Sequence, residues 1–228
     1  MIQTIFVGAL DKSDFLIYLG SLLSQTEKRV LLADATKEQW LRYHVCSQEL
    51  NNNITDFYGI DIAHYITHYK QLQQLLQNRA YDYVLLDTDN ENFLDPVMLQ
   101  EMNARYLVTN YEKYVVERNK ELFITNFLNQ PEPISFNCIV LEAVDCQVDF
   151  QYLEQYYYYL PLRWGRAIEI PLDDYDKAIK INNSYNMHVR GMKRLSKKYV
   201  QALQSIANEI SLEGEDIKKN WKLLLKGR

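Results

Sequence analysis

Glycine and proline are scarce in this chain of 228 residues, with 7 and 5 respectively. With 47% apolar and 24% charged residues, that scarcity excludes a disordered chain and leaves an ordered, globular one. Cysteine is scarcer still. Cys46, Cys138 and Cys146 are odd in number and lack metal-like spacing, so neither a disulfide framework nor a thiolate metal site is read from them. They are expected to be reduced, mostly buried thiols of a cytosolic protein. No apolar run approaches the length of a membrane span, and no basic-then-apolar segment opens the chain. Positive charge is also short: the net charge of −5 provides no overall basic field for nucleic acid, so any basic surface must be local. What is abundant is tyrosine, 18 against 8 phenylalanines, which serves either packing or interfaces.

The first 36 residues carry the main pattern. Residues 1–7 form an apolar run of strand length, and Phe15, Leu16, Leu19, Leu22 and Leu23 then recur at helical spacing. Residues 29–34 close the unit as a buried strand ending in Asp34. Between the first strand and the helix lies Gly8-Ala9-Leu10-Asp11-Lys12-Ser13. A phosphate-binding loop would sit there, with backbone N–H groups and the helix N-terminus around the phosphate, Lys12 adding charge and Ser13 binding Mg²⁺. The match to G-x-x-x-x-G-K-[ST] is partial. Phe6 and Asp11 stand at the two glycine positions, and Asp11 brings a negative charge to a site for a polyanion.

Three segments together resemble the MinD/ParA family of deviant P-loop ATPases. They are the loop at residues 7–14, Tyr18-Leu19-Gly20 at the family's spacing, and the run from Glu27 to Thr36. Tyr81-Asp82-Tyr83-Val84-Leu85-Leu86-Asp87-Thr88 similarly resembles the family's Walker B strand. An apolar strand ending in Asp87 would place that carboxylate beside the loop, where it could hold Mg²⁺ through water. Residues 167–174, with Ile170-Pro171-Leu172-Asp173, resemble the turn that borders the family's adenine pocket. The resemblance implies a residual nucleotide site of Gly8, Lys12, Ser13, Asp34 and Asp87, with ATP and Mg²⁺ held weakly if at all. It also implies reduced hydrolysis, because Val7 replaces the signature lysine and Thr36 replaces the carboxylate associated with water activation. No catalytic residue and no resident metal are assigned.

Strands alternating with helices predict an α/β fold: a doubly wound, mainly parallel sheet with helices on both faces, plus C-terminal helices. One domain is read over 1–212. Within it, residues 62–76 have helical spacing, which would put His64 and His68 one turn apart; two imidazoles without a third ligand are read as a surface or satisfied pair. Residues 51–53 are read as a loop and 130–133 as a turn. The tyrosine run 156–159 is read as mixed packing and interface. A helix over 186–210 would carry a basic stripe of Arg190, Lys193, Arg194, Lys197 and Lys198.

Residues 213–228 have a different character. On a helix, Ile217, Trp221, Leu224 and Leu225 fall on one side and Lys218, Lys219, Lys222 and Lys226 on the other. That pattern suits an anionic membrane surface, or an apolar face docked on the chain itself or in a partner. The combined expectation is a catalytically impaired MinD/ParA-like subunit, peripheral on the inner face of a membrane, positioning a larger machine through a protein partner. A homodimer is left open. An active or slow ATPase and a DNA-associated segregation protein are the alternatives. Net acidity and the lack of a helix-turn-helix signal count against nucleic acid.

Overall fold

The computed structural model of the protein describes residues 1–45, 54–130 and 132–226. Cys46, the 51–53 asparagines, Pro131 in its turn and Gly227-Arg228 lie outside the described residues.

Alternation along the strands decides the architecture. In β1 (Ile2–Val7), Phe6 packs into one apolar cluster while Ile5 and Val7 pack into another; β5 (Tyr83–Thr88) does the same with Tyr83 and Leu85 against Val84 and Leu86. A strand apolar on both faces must be covered on both, which is the condition for a doubly wound parallel sheet. Among the described residues the sheet has eight strands in the order β3-β4-β2-β5-β1-β6-β7-β8. The remaining strands are β2 (Val30–Asp34), β3 (Ile54–Phe57), β4 (Ile60–Ala63), β6 (Ala104–Thr109), β7 (Ile134–Ala143) and β8 (Leu162–Pro171). Every pairing is parallel except β3 with β4. The first strand is central, as expected, and the carboxyl ends of β1, β2 and β5 lie side by side.

One face is covered by α1 (Ser13–Leu23), α6 (Asp174–Asn186), α7 (Lys197–Ile210) and α8 (Ile217–Lys226). The other is covered by α2 (Tyr69–Asn78), α3 (Pro96–Glu101), α4 (Lys113–Phe127) and α5 (Phe150–Tyr156). Within the tyrosine run, Tyr157 is buried and its hydroxyl donates to the Val116 carbonyl, while Tyr158 and Tyr159 are exposed. Cys138 is buried and Cys146 is exposed.

Two helices read from periodicity are corrected. Residues 60–63 are strand rather than helix, paired to β3 through a tight turn at Tyr58-Gly59 with both φ positive. Such turns match the strand twist. Tyr65 also has φ +57, which no helix admits, and α2 starts only at Tyr69, where Gln71 Oε1 accepts the N–H groups of Thr67 and His68. His64 and His68 therefore do not share a helix face. The helix expected over 186–210 is also broken. α6 ends at Met187 (φ +49), Gly191 turns at φ +74, and α7 starts after Ser196, whose Oγ accepts the Tyr199 N–H. Both Asp176 carboxylate oxygens bind Ser196, at 2.6 and 2.7 Å, and pin the new helix start to α6. Apolar spacing continues across the break because Val189, Met192, Leu195 and Tyr199 face one core.

Candidate functional site

The loop between β1 and α1 starts with a close packing constraint. A Cβ on Gly8 would stand 2.0 Å from the Val108 carbonyl oxygen of β6, so glycine is required there for approach rather than for a positive φ. The Gly8 N–H is bound by the Thr88 carbonyl and the Ala9 N–H by Asn119 Oδ1 at 2.8 Å, from a fully buried residue of α4. At the helix start, Asp11 Oδ1 accepts the Ser13 N–H at 3.0 Å. A helix N-terminus favours an anion, and here the protein supplies one. Burial opposes the charge on Asp11, but Lys180 and Ser13 outweigh it and hold the carboxyl below its usual range.

Lys12 is entirely buried. Its Nζ lies 2.6 Å from Asp87 Oδ1 and donates to the carbonyls of Gly8 at 2.8 Å and Leu10 at 3.4 Å. Neither carboxylate oxygen of Asp87 has a hydrogen-bond partner, so the 2.6 Å contact is an ion pair beside two hydrogen bonds from Lys12. Asp87, also fully buried, has its pKa pushed up to about 7 by loss of solvent; Lys12 lowers it and neighbouring Asp34 raises it. Asp34 is occupied as well: Oδ1 accepts the Thr36 N–H and hydroxyl, and Oδ2 accepts the Leu41 N–H at 2.9 Å. Burial raises its pKa against those bonds. Thr36, standing where a carboxylate was sought, is thus a hydrogen-bond donor to Asp34. Ser13 Oγ is buried and has no partner.

Beside the loop opens a recess of about 250 Å³. Asp11, Asp14, Glu142, Asp173 and Asp176 supply five carboxylates to its lining, against Lys177 and Lys180. Lys180 Nζ meets Asp14 Oδ1 at 3.2 Å and Asp11 Oδ2 at 4.0 Å, and Tyr199 donates to Asp14 at 3.4 Å. Pro171 and Asp173 border this recess, the position expected for the late turn; the Asp173 side chain caps α6.

Gly8, Lys12, Ser13, Asp34 and Asp87 therefore converge at one sheet edge. Asn119, Lys180 and Asp14 join them and were not anticipated. Asn119 and Lys180 lie on helices far away in sequence, and nothing in their local spacing marks them.

The other expected sites are separate. Arg190, Lys193 and Arg194 lie on the connection between α6 and α7, with Lys197 and Lys198 in the first turn of α7; all five are exposed, but they do not form one helix face. In α8, Lys218, Lys219, Lys222 and Lys226 are exposed as expected. The apolar side is not free for a membrane. Ile217 and Leu224 are buried in the core with α1 and α7, and Trp221 and Leu225 pack partly against it. Asn220 also faces inward.

No protein-family model matches the chain, and no curated protein matches its sequence. Solved structures do. A ParA family ATPase from Chlorobium tepidum TLS superposes with TM-score 0.60 at 13% identity, covering 91% of this chain and 98% of its own. The fold is that of the ParA and MinD ATPases. The MinD cell division protein of Aquifex aeolicus gives 0.58 at 12% identity over 95% and 100% of the two chains. A plasmid partition protein of Borrelia burgdorferi B31, solved bound to AMPPNP, gives 0.56 at 17% over 92% and 98%. Identities this low extend the ParA/MinD likeness to the fold and not to the chemistry of the loop.

Proposed function

We propose that this chain is a catalytically silent protein of ParA/MinD fold that serves as a positioning or scaffolding subunit through protein contacts. One observation carries the reading: Lys12 and Asp87, the pair that would face phosphate and Mg²⁺, are spent on each other in a fully buried ion pair. Phosphoryl transfer depends almost wholly on positioning and charge stabilisation. A nucleotide would have to separate this pair and displace Asp11 from the helix start. It would also add negative charge where Asp11, Asp14, Asp34 and Asp87 already outnumber Lys12 and Lys180. The residues present do not fit ATP with Mg²⁺ as they are arranged, and no catalytic step is assigned. Because the apolar side of α8 closes the core, the subunit is held by partners rather than by a lipid-inserted helix.

A second reading, a slow ATPase, draws on Ser13 Oγ, which is buried without a partner where a magnesium-binding hydroxyl would stand. Calorimetric titration with Mg-ATP and a phosphate-release assay decide between them. The silent subunit gives no saturable heat and no turnover above the Lys12→Ala background. Turnover that Lys12→Ala abolishes overturns it.

A further inference from the structure

A second recess, of about 370 Å³, lies between the end of α6, the connection to α7 and the end of α8, away from the phosphate-type loop. Its floor is apolar: Val189, Met192 and Leu224 are 1%, 5% and 2% exposed. Its rim is cationic, formed by Arg190, Lys193 and Arg194, all exposed. Among the described residues none of these three enters an ion pair, although acids outnumber bases in the chain, 30 to 25. The recess also holds His188, whose Nδ1 is buried without a hydrogen-bond partner.

From this charge complementarity we infer that the recess is a docking site for an acidic peptide segment of a partner protein, one that carries leucine-like side chains among its carboxylates. The apolar residues would fill the floor between Met192 and Leu224, and the carboxylates would meet the guanidinium and ammonium groups of the rim. A nucleic acid answers only the rim, since a phosphate backbone has nothing apolar to place on the floor. A bilayer answers neither part well: the apolar groups lie at the bottom of a concavity, where a lipid surface cannot follow. The proposal names the partner chemistry of the scaffolding reading and rests on it. The ATP titration tests that reading separately, because this recess shares no residue with the loop.

The test uses fluorescence anisotropy with a labelled acidic peptide bearing a leucine pair, a version with serines for the leucines, a double-stranded DNA oligonucleotide and phosphatidylglycerol vesicles. The leucine peptide is expected to bind, more weakly as salt rises, and the serine version to bind far less. The double variant Lys193→Glu, Arg194→Glu should weaken binding by about tenfold or more, since rim charges act directly on the bound acid. The control double variant Lys197→Glu, Lys198→Glu makes the same charge change outside the recess and should leave binding within about threefold. All four positions are exposed, and matched thermal melts check folding. No binding of the leucine peptide overturns the proposal, as does an equal loss in the control variant. Tighter binding of DNA or vesicles through Lys193 and Arg194 overturns it in favour of those surfaces.

Discussion

Replacing Lys12 by methionine separates a core lysine from one held ready for ligand. The substitution keeps most of the volume and removes the only cation within 4 Å of Asp87 among the described residues. Breaking a buried pair by deleting one partner typically costs about 3–5 kcal/mol. The pH dependence follows from Asp87, whose folded pKa of about 7 lies above the ordinary 3.8. A raised carboxyl pKa contributes stability that is fully present below pH 3.8 and is lost as pH rises through about 7. The shift corresponds to about 4 kcal/mol even with Lys12 in place. Without Lys12 the folded pKa climbs further, so the penalty of Lys12→Met should be greatest at roughly pH 8.5 and small at roughly pH 5.5, where Asp87 is protonated in both proteins. The double variant Lys12→Met, Asp87→Asn should recover most of the loss, since buried pairs replaced together are often neutral or stabilising by about 1–4 kcal/mol. Urea unfolding followed by tryptophan fluorescence at both pH values measures all three. A Lys12→Met protein within about 1 kcal/mol of wild type at the higher pH refutes the reasoning. So does a double variant no better than the single.

Asp11→Gly should free the Ser13 N–H and remove one charge at a cost of a few tenths of a kcal/mol at most, but it leaves Lys12 held by Asp87, so the Mg-ATP titration should stay blank in calorimetry; measurable binding would assign the block to Asp11 rather than to the ion pair. Gly8→Ala forces a Cβ against the Val108 carbonyl and should cost about 1–3 kcal/mol in urea midpoint analysis. Leu224→Ala should destabilise the whole chain by about 2–5 kcal/mol, while flotation with anionic vesicles shows the full chain staying unbound. His64, with both ring nitrogens buried and unpartnered, has its pKa lowered by burial, so its contribution is present above pH 6.5 and lost as pH falls below it. His64→Leu should therefore flatten the acid limb of the stability profile, as read by melts from pH 7.5 to 4.5, roughly.

What the sequence made legible is the part written in strands. Residues 1–7, 30–34 and 83–88 are short apolar runs ending in a polar edge, and a run of that kind has one place to go: the middle of a parallel sheet covered on both sides. With three of them in register, Lys12 and Asp87 had to share an edge. Helical spacing was a poorer guide. Any buried residue contributes to it, whether from a helix, a strand or a turn, so Ile62 and Ile66, which pack in different apolar clusters, or Val189 and Met192, which share one, imitate a continuous helix face. Local backbone chemistry decided those cases: Gly59, Gly191 and the Ser196 cap were all present in the sequence and outweighed the spacing. α8 shows the same ambiguity from another side, because an amphipathic helix specifies that its apolar face is covered and not by what.

Asp11 is where motif and geometry part. As a departure from a glycine pattern it could be read only as a loss, a residue too restricted and too negative for a phosphate loop. In the structure it does positive work: its carboxylate takes the Ser13 N–H at the start of α1 and is met by Lys180 from α6. A helix N-terminus facing a buried cleft needs an anion, and a loop that binds phosphate leaves that need to its ligand. A loop carrying its own carboxylate satisfies it permanently. The same holds for Lys12, which in the absence of phosphate needs an acid and finds Asp87. Two local needs are thus met from within the chain: Asp11 supplies the anion at the helix start, and the Thr36 hydroxyl holds Asp34 in the core.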